Sequence, residues 1–288
     1  MIDLHMHTTA SDGTLAPAAL VDRAHAIGIR TMSVTDHDTM AGVPEAAAAA
    51  AGRGIELLPG IEITAVADGR DVHMLAYFLD PAPARLDRFL ADQREDRVRR
   101  AREMGEKLAA LAVPIPIEGL IEKASAAGRA VARPVVARAL VEAGHCATPQ
   151  EAFDRWLADG GPAYVARRGA SPAEVVRLVA EAGGLVSLAH PGLLRRDELI
   201  PGLAESGLGA IEAFHSDHDA AAEARYQRLA DRLGLAVSGG SDFHGERHHR
   251  AKSFGRVGLP PVRYETLVER VRRADAAAGP AAAAAEPA

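Results

Sequence analysis

The stretch MIDLHMHTTASDG, residues 1–13, opens the chain with alternating apolar and polar residues that lead into a polar segment. Such alternation predicts a half-buried β-strand. His5 and His7 are two positions apart, so on a strand both imidazoles point to the same face. Asp12 follows in the loop. The stretch therefore predicts a first strand that ends in side chains able to bind metal.

Strand-like and helix-like segments alternate along the residues that follow. Strand patterns occur at 29–38, 55–65 and 70–79, and helix patterns fit 16–28 and 42–53. Further strands are predicted at 185–191, 209–214, 234–245 and, as a last short strand, 254–258, with helices at 172–184 and 220–234. This βαβα order predicts a mostly parallel sheet or barrel of about seven strands.

The alternation breaks between residues 84 and 164, where nearly every segment has a helical pattern. Leu86, Leu90, Val98 and Leu108 belong to an apolar stripe on a long helix. We therefore expect three parts in the chain. These are a metal-dependent barrel from residues 1–83 and 165–275, a helical insertion at 84–164, and a disordered, alanine-rich tail at 276–288.

Composition narrows the class of protein. The 288 residues carry a formal net charge of −6, which argues against the broad basic surface that duplex DNA binding requires. Cys146 is the only cysteine, so no disulfide can form within the chain and a reducing compartment is expected. Polar residues interrupt the first apolar stretch, so no signal peptide is predicted, and no apolar run is long enough for a membrane span. We expect a cytoplasmic protein without membrane contact.

Metal-binding side chains recur where the predicted strands end. They occur in TDHD (35–38), GIE (60–62), VHML (72–75), AHP (189–191) and SDFHG (241–245). In a parallel α/β barrel the carboxyl ends of several strands converge on one site. Imidazole and carboxylate ligands suit zinc, manganese or iron, and a carboxylate can bridge paired ions. Each fragment alone is weak, but the ordered set predicts a multinuclear metal-dependent hydrolase.

The ordered set HMH, Asp12, TDHD, GIE, VHML, AHP and SDFHG resembles the polymerase and histidinol phosphatase (PHP) family, of the amidohydrolase type, over nearly the whole chain. The resemblance implies an α/β fold, a distorted (β/α)7 barrel, with two or three divalent ions at the strand ends. It implies Mn²⁺, with Zn²⁺ or Fe²⁺ as alternatives. The implied ligands are His5, His7, Glu62 and Asp242 for a first ion, Glu62, His73 and His190 for a second, and Asp12, His37 and His244 for a third. Some members have histidine where this chain has Asp12.

The helical insertion resembles a subgroup of that family. The segments RPVVARALVEAG (133–144) and EAFDRWLADGGPAYV (151–165) are similar to those of TrpH-like proteins. The resemblance implies a phosphoric monoester hydrolase that removes the 3′-phosphate of a 3′,5′-bisphosphonucleotide such as 3′-phosphoadenosine 5′-phosphate. The alternatives are a 5′→3′ exoribonuclease on short 5′-phosphorylated RNAs, a histidinol-phosphate phosphatase, and a non-catalytic metal-binding module. The oligomeric state stays open.

Other side chains are candidates for substrate contact and proton transfer. Arginine binds phosphate bidentately, and tyrosine can stack on a base. The candidates for binding substrate are Arg133, Arg138, Tyr164 and Arg167, with surface charge or core packing as the alternative for each. We interpret the arginine run at 94–102 mainly as ion pairing along a helix face. His215 is a candidate proton donor to the leaving group, or an exposed loop histidine, and Asp242 is expected to be essential for turnover.

Overall fold

A computed structural model of the chain describes residues 1–79, 84–126 and 131–278. The described residues form one sheet of seven strands in the spatial order in which they follow one another along the chain. The strands are β1 (Ile2–Asp3), β2 (Thr31–Val34), β3 (Glu56–Ala67), β4 (Arg70–Tyr77), β5 (Leu185–Leu188), β6 (Ala210–His215) and β7 (Ala236–Gly240).

The sheet nearly closes into a barrel, as the sequence predicts. The backbone N–H of Leu4 donates to the carbonyl of Gly239 at 3.1 Å, and Met6 forms a parallel bridge with Phe243, so the chain after β1 meets the chain after β7. Neighbouring strands are parallel except for β4, which is antiparallel to both β3 and β5. The reversal follows from the two-residue turn Asp68–Gly69, where φ is +49° and +72° as a tight hairpin requires.

Helices cover the outside of the barrel and fill the segment between β4 and β5. The helices are α1 (Pro17–Ala26), α2 (Val43–Ala51), α3 (Ala84–Ala110), α4 (Ile117–Ala126), α5 (Arg133–Glu142), α6 (Pro149–Ala152), α7 (Pro172–Glu181), α8 (Pro191–Leu194), α9 (Leu199–Glu205), α10 (Ala220–Leu233) and α11 (Pro261–Ala278). A π-helical turn, Phe153–Leu157, continues α6, and a 3₁₀ turn spans His249–Ser253.

Local signals explain several of these boundaries. The Ser171 hydroxyl accepts the Glu174 N–H while the Glu174 carboxylate accepts the Ser171 N–H, which is a capping box at the start of α7. Asp219 caps α10 by accepting the Ala222 N–H. The last short strand expected at 254–258 is wrong. Those residues form turns after the 3₁₀ segment, and Gly255 there has φ +77°.

The helical segment packs partly on itself and partly on the barrel. Leu108, Val136, Leu140 and other buried side chains form a core between α3, α5 and the π-helical turn. At the other end of α3, Leu86 and Leu90 join the main barrel core instead. The first turns of the long helix are therefore anchored in the barrel, and its later turns belong to the helical segment.

The division of the chain at residues 84 and 164 stays a prediction. Residues 80–83, which the sequence assigns to the barrel, and 127–130 lie outside the described residues, as does 279–288 of the expected tail. Helix α11 runs to Ala278. None of the described helices is both long enough and apolar enough to cross a membrane.

Candidate metal centre

The strand ends bring the nine candidate ligands to one end of the barrel. His5 and His7 follow β1, His37 follows β2, and Glu62 and His73 lie within the β3–β4 hairpin. Asp12 lies on the loop after β1, and the remaining three, His190, Asp242 and His244, follow later strands. Two of the nine have positive φ, +28° at His190 and +51° at Asp242, although neither is glycine. Backbone strain of this kind is typical of functional sites.

Glu62 lies at the middle of the cluster and is 1% exposed. Its Oε2 atom lies 3.5 Å from Nε2 of His5, 3.2 Å from Nε2 of His7 and 3.0 Å from Nδ1 of His37. Its Oε1 atom lies 2.8 Å from Nδ1 of His73 and 3.2 Å from Nε2 of His190. One carboxylate therefore faces five histidines, three with one oxygen and two with the other, which is the arrangement a bridging ligand requires.

Asp242 divides its two oxygens in the same way. Its Oδ1 atom lies 3.2 to 3.4 Å from Nε2 of His5, Nε2 of His7 and Nδ1 of His244. Its Oδ2 atom lies 3.2 Å from Nε2 of His215 and 2.5 Å from Nη1 of Arg250. Asp242 thus directs Oδ1 at the histidine cluster, while His215 and Arg250 contact Oδ2.

Asp12 sits on a loop that Asp36 stabilises. The Asp36 carboxylate accepts the Thr8 N–H at 2.8 Å and the hydroxyls of Thr8 and Ser11 at 2.6 Å each. Asp12 itself lies 3.3 Å from Nε2 of His244, and 3.6 and 3.8 Å from nitrogens of His7 and His37. The loop thus adds a carboxylate to the edge of the cluster.

The donor atoms of this cluster fit divalent metal ions. Buried polar atoms in proteins almost always have hydrogen-bond partners. Within the described residues, however, Nε2 of His5, both ring nitrogens of His7, Nδ1 of His37 and Oδ1 of Asp242 are buried and make no hydrogen bond. Donor atoms lie within 4.8 Å of one another in the sets His7–Asp12–His37–His244, His5–His7–Asp242 and His37–Glu62–His73. Buried, unpartnered imidazole and carboxylate groups of this kind suit transition-metal ions.

The pKa shifts of the clustered histidines and carboxylates also fit a metal site. Burial alone lowers the pKa of His7, but the Asp242 and Glu62 carboxylates, each 3.2 Å from its Nε2 atom, raise it to about 10. Burial lowers the pKa of His190 to about 4 and that of His37 to about 3. Burial opposes ionisation of Glu62, yet the surrounding histidines hold its pKa well below the usual value. The buried carboxylates thus stay ionised, and positive charge beside them, on the histidines or on a bound cation, stabilises them.

A second cluster of charge adjoins the first. Arg97, Arg100, Arg133 and Arg167, here named the arginine pocket, line a cavity of about 170 Å³ together with Asp71. The same cavity is lined by Asp12, His37 and His73 of the metal cluster. An anion held by the arginine pocket therefore lies beside the candidate ligands.

The arginine pocket contains hydrogen-bond donors that have no partner in the described chain. Asp38 accepts hydrogen bonds from Arg97 and Arg167 at 2.7 and 3.0 Å. Asp71 lies 3.5 to 3.8 Å from Arg100, Arg133 and Arg167, too far for good hydrogen bonds. Burial lowers the pKa of Arg100 to about 10. Within the described chain, Nη2 of Arg100 and Nε of Arg167 are buried without a hydrogen bond. Arg133 also donates to Asp159 at 2.6 Å, so the unpartnered nitrogens of Arg100 and Arg167, rather than an excess of arginines over carboxylates, suit an anion.

The structure brings two of the four candidate substrate residues to this pocket. Arg133 and Arg167 line it. Arg138 points away on the exposed face of α5, outside the described lining. Tyr164 donates its hydroxyl hydrogen to the Gly69 carbonyl at 3.0 Å, and its ring lies 5.6 Å from the Arg133 guanidinium. It therefore flanks Arg133 from outside the described lining.

Some residues at the site were missed or misassigned from the sequence. Interpreting residues 94–102 as ion pairing along a helix face is wrong for Arg97 and Arg100, which are buried and face Asp38 and Asp71 outside α3. It is right for Arg99, which pairs with Asp96 and Glu103 along α3, whereas Arg102 pairs with Glu118 of α4. The i, i+3 spacing of Arg97 and Arg100 was the available signal, since it places both on one helix face.

His215 is buried rather than exposed on a loop, at 1% exposure. Its Nδ1 atom accepts the Asp217 N–H at 3.1 Å, so the neutral ring carries its proton on Nε2, which lies 3.2 Å from Asp242. Arg250 and Glu212 were not considered as site residues. Both are charged groups in contact with candidate ligands, Arg250 with Asp242 and Glu212 with His5.

A nearly closed α/β barrel with a buried histidine–carboxylate cluster at its strand ends defines a metal-dependent hydrolase of the amidohydrolase type. The family model of the PHP domain matches residues 3–97. A 3′,5′-nucleoside bisphosphate phosphatase of Chromobacterium violaceum is 35% identical over 91% of this chain and 93% of that protein. A 5′-3′ exoribonuclease, Rnm, of Salmonella typhimurium is 37% identical over 84% of each chain.

A solved structure agrees with these matches. An amidohydrolase from Chromobacterium violaceum, determined with bound sulfate and without metal, is similar with a TM-score of 0.82 at 34% identity. The match covers 93% of this chain and 96% of that one. The chain belongs to the PHP family of metal-dependent phosphoesterases.

Proposed function

We propose that the chain hydrolyses the 3′-phosphate of 3′,5′-bisphosphonucleotides and releases the 5′-mononucleotide and phosphate. The observation that carries the proposal is the shared cavity, in which the arginine pocket lies beside candidate metal ligands. A substrate with two phosphates can bind to both clusters at once, one phosphate at the metals and the other on the arginines.

The metal side of the proposal assigns the ligands of two or three divalent ions. His5, His7, Glu62 and Asp242 would hold the first ion, Glu62, His73 and His190 the second, and Asp12, His37 and His244 the third. Mn²⁺ is our choice among the ions that such ligands accept. When bound, the ions activate water and stabilise the charge that develops on the phosphoryl oxygens.

Proton transfer to the leaving oxygen is assigned to His215. Its Nε2–H is hydrogen-bonded to Oδ2 of Asp242, and Asp217 fixes the tautomer from the other side of the ring. Because this ring is neutral, acting as an acid requires a second proton on Nδ1, in place of the hydrogen bond from the Asp217 N–H, and the Asp242 carboxylate stabilises the resulting imidazolium. Transfer of the Nε2 proton to the leaving oxygen then leaves a neutral ring. Arg250 donates to the same Asp242 oxygen, and charge from His5, His244 and Arg250 holds the pKa of that carboxyl well below its usual value.

The arginine pocket is assigned to the 5′-phosphate. Guanidinium groups bind phosphate bidentately. Nη2 of Arg100 and Nε of Arg167 are buried and make no hydrogen bond in the described chain, so both are available to a phosphate. A cavity of about 170 Å³ accepts a phosphate group but not a whole nucleotide. The pocket therefore fixes the 5′ end, and a monophosphate loses one of the two anchors.

The exoribonuclease is the second candidate, because the same pocket can hold the 5′ end of an RNA. A larger groove of about 1070 Å³ lies on the other side of α3 and has room for further nucleotides. Its described lining contains Asp87, Glu95, Glu103 and Glu106 against Arg94, Arg99 and Arg102. Arg99 and Arg102 are already paired with carboxylates, so this groove repels a polyanion. The charge favours the small substrate.

The test is phosphate and nucleotide release by the manganese-loaded protein. The substrates are 3′-phosphoadenosine 5′-phosphate, 5′-AMP, 3′-AMP, 2′,3′-cyclic AMP, histidinol phosphate and a short 5′-phosphorylated RNA. We expect fast conversion of the bisphosphate to 5′-AMP and little turnover of the monophosphates. Mononucleotides released from RNA alone would replace the proposal with the exoribonuclease. Turnover of histidinol phosphate or the cyclic ester alone, or of nothing, would refute it.

A further inference from the structure

Glu212 is a fully buried carboxylate that no step of the proposed reaction uses. It lies in the middle of β6, and its relative exposure is 0%. Its Oε1 atom lies 2.9 Å from Nδ1 of His5, and its Oε2 atom accepts the backbone N–H of His190 at 2.7 Å. A buried charge is costly unless it is satisfied, and here both oxygens have partners.

Glu212 is not itself placed as a metal ligand, although its oxygen lies within 4.8 Å of donor atoms of His5 and His215. It lies on the Nδ1 side of the His5 ring, whereas Glu62 and Asp242 lie on the Nε2 side, at 3.5 and 3.4 Å. An ion bound among Nε2 of His5, Glu62 and Asp242 is therefore separated from Glu212 by the imidazole ring.

The contact with His5 determines which nitrogen can bind metal. A carboxylate accepts the proton on Nδ1, so the lone pair remains on Nε2. Nε2 of His5 is buried and has no hydrogen bond in the described part of the chain. Glu212 thus aims a free lone pair at the first candidate metal site.

The contact with His190 acts on the backbone. His190 has φ +28° and ψ 57°, a conformation that residues with a side chain adopt only when their surroundings hold them there. The hydrogen bond from its N–H to Glu212 holds this conformation directly before α8. The turn directs Nε2 of His190 to within 3.2 Å of Oε1 of Glu62, at the second candidate site.

We propose that Glu212 is a positioning residue that couples the two metal sites, because one carboxylate orients His5 of the first site and His190 of the second. The inference rests on the ligand assignment made for the proposed function. It goes beyond that assignment in predicting that a change at Glu212, outside the ligand set, weakens both ions together.

The experiment is Mn²⁺ binding by equilibrium dialysis with the full chain, comparing the parent, Glu212→Gln and Glu205→Gln. Glutamine keeps the volume, but one oxygen becomes an N–H₂ donor and the remaining oxygen carries no charge, so the hydrogen bonds to His5 and to His190 cannot both form and neither is charge-assisted. Loss of such an outer partner weakens metal binding by about 10–100-fold. We expect this loss for the first and second ions in Glu212→Gln, and parental binding in Glu205→Gln, where an exposed glutamate is changed.

Binding within twofold of the parent, or loss at one site alone, would refute the coupling. A second measurement uses only the parent protein, so it does not depend on whether the variant folds. In ¹⁵N-histidine-labelled parent loaded with diamagnetic Zn²⁺, we expect His5 to be protonated at Nδ1 and metal-bound at Nε2. The opposite tautomer would overturn the proposal.

Neither readout involves substrate. A parent that binds Mn²⁺ but hydrolyses nothing would therefore refute the proposed function, while the dialysis and the His5 tautomer would still test the positioning role of Glu212. A parent that binds no divalent ion would refute both.

Discussion

The metal cluster and the arginine pocket line one cavity but are built in different ways. Eight of the nine candidate ligands sit in or shortly after strands of the barrel sheet, which restricts their positions, and the ninth, Asp12, lies on the loop after β1. The pocket takes Arg97 and Arg100 from α3 and Arg133 from α5, as long side chains on helices outside the barrel. The comparison suggests that the barrel determines the reaction and the helical segment selects the substrate, so each can be altered separately.

The largest expected effect is at the metal cluster. Asp242→Ala removes the oxygen that faces His5, His7 and His244 and the oxygen that holds His215. We expect turnover of the bisphosphate to fall by at least roughly 1,000-fold, which corresponds to about 4 kcal/mol of barrier. The rate is measured at saturating substrate, and circular dichroism checks that the barrel is intact. Unchanged activity would show that the assignment of Asp242 to the catalytic site is wrong.

An intermediate effect is expected in the arginine pocket. Arg133→Met keeps the aliphatic stem and removes a guanidinium from the cavity. A hydrogen bond to a charged group contributes about 1.5–3 kcal/mol, so KM for the bisphosphate should rise by about 10–100-fold with a smaller change in kcat. Arg138→Met, on the exposed face of the same helix, is the matched control and should leave both constants unchanged. Equal effects of the two variants would contradict the conclusion that the arginine pocket of the helical segment selects the substrate while the barrel determines the reaction.

The smallest effect tests the balance of charge within the pocket. Asp71 lies near three arginines without a close hydrogen bond to any of them, so it weakens the field that a phosphate meets. We expect Asp71→Asn to bind the product 5′-AMP about 3–10-fold more tightly, equivalent to about 1 kcal/mol. Titration calorimetry measures the change. Weaker binding would instead mean that Asp71 aligns the arginines.

The two regions also differ in how far the sequence predicts them. The period of a strand places His5 and His7 on one face, and parallel strands bring their ends together, so the metal cluster follows from local patterns. Arg100 has acidic neighbours at helical spacing, Asp96 and Glu103, whereas Arg97 has none, and only packing against the barrel shows that both arginines are buried. Glu212 lies within an otherwise apolar strand, where its role depends on His5, 207 residues away in the chain.

The wrong assignment of a strand at 254–258 has a similar origin. The segment is short and contains two glycines, and the barrel is already closed by contacts between β1 and β7. A local pattern cannot show that no further strand position is available.

The anchoring of α3 has a consequence for how this protein can change. Leu86 and Leu90 are fixed in the barrel core, and Arg97 and Arg100 project from the same continuous helix into the pocket. Adding or deleting one residue between these pairs turns everything beyond it by about 100° and would carry both arginines out of the cavity. New specificities in such a scaffold should therefore arise by replacing side chains on α3, while its length between residues 90 and 97 stays constant.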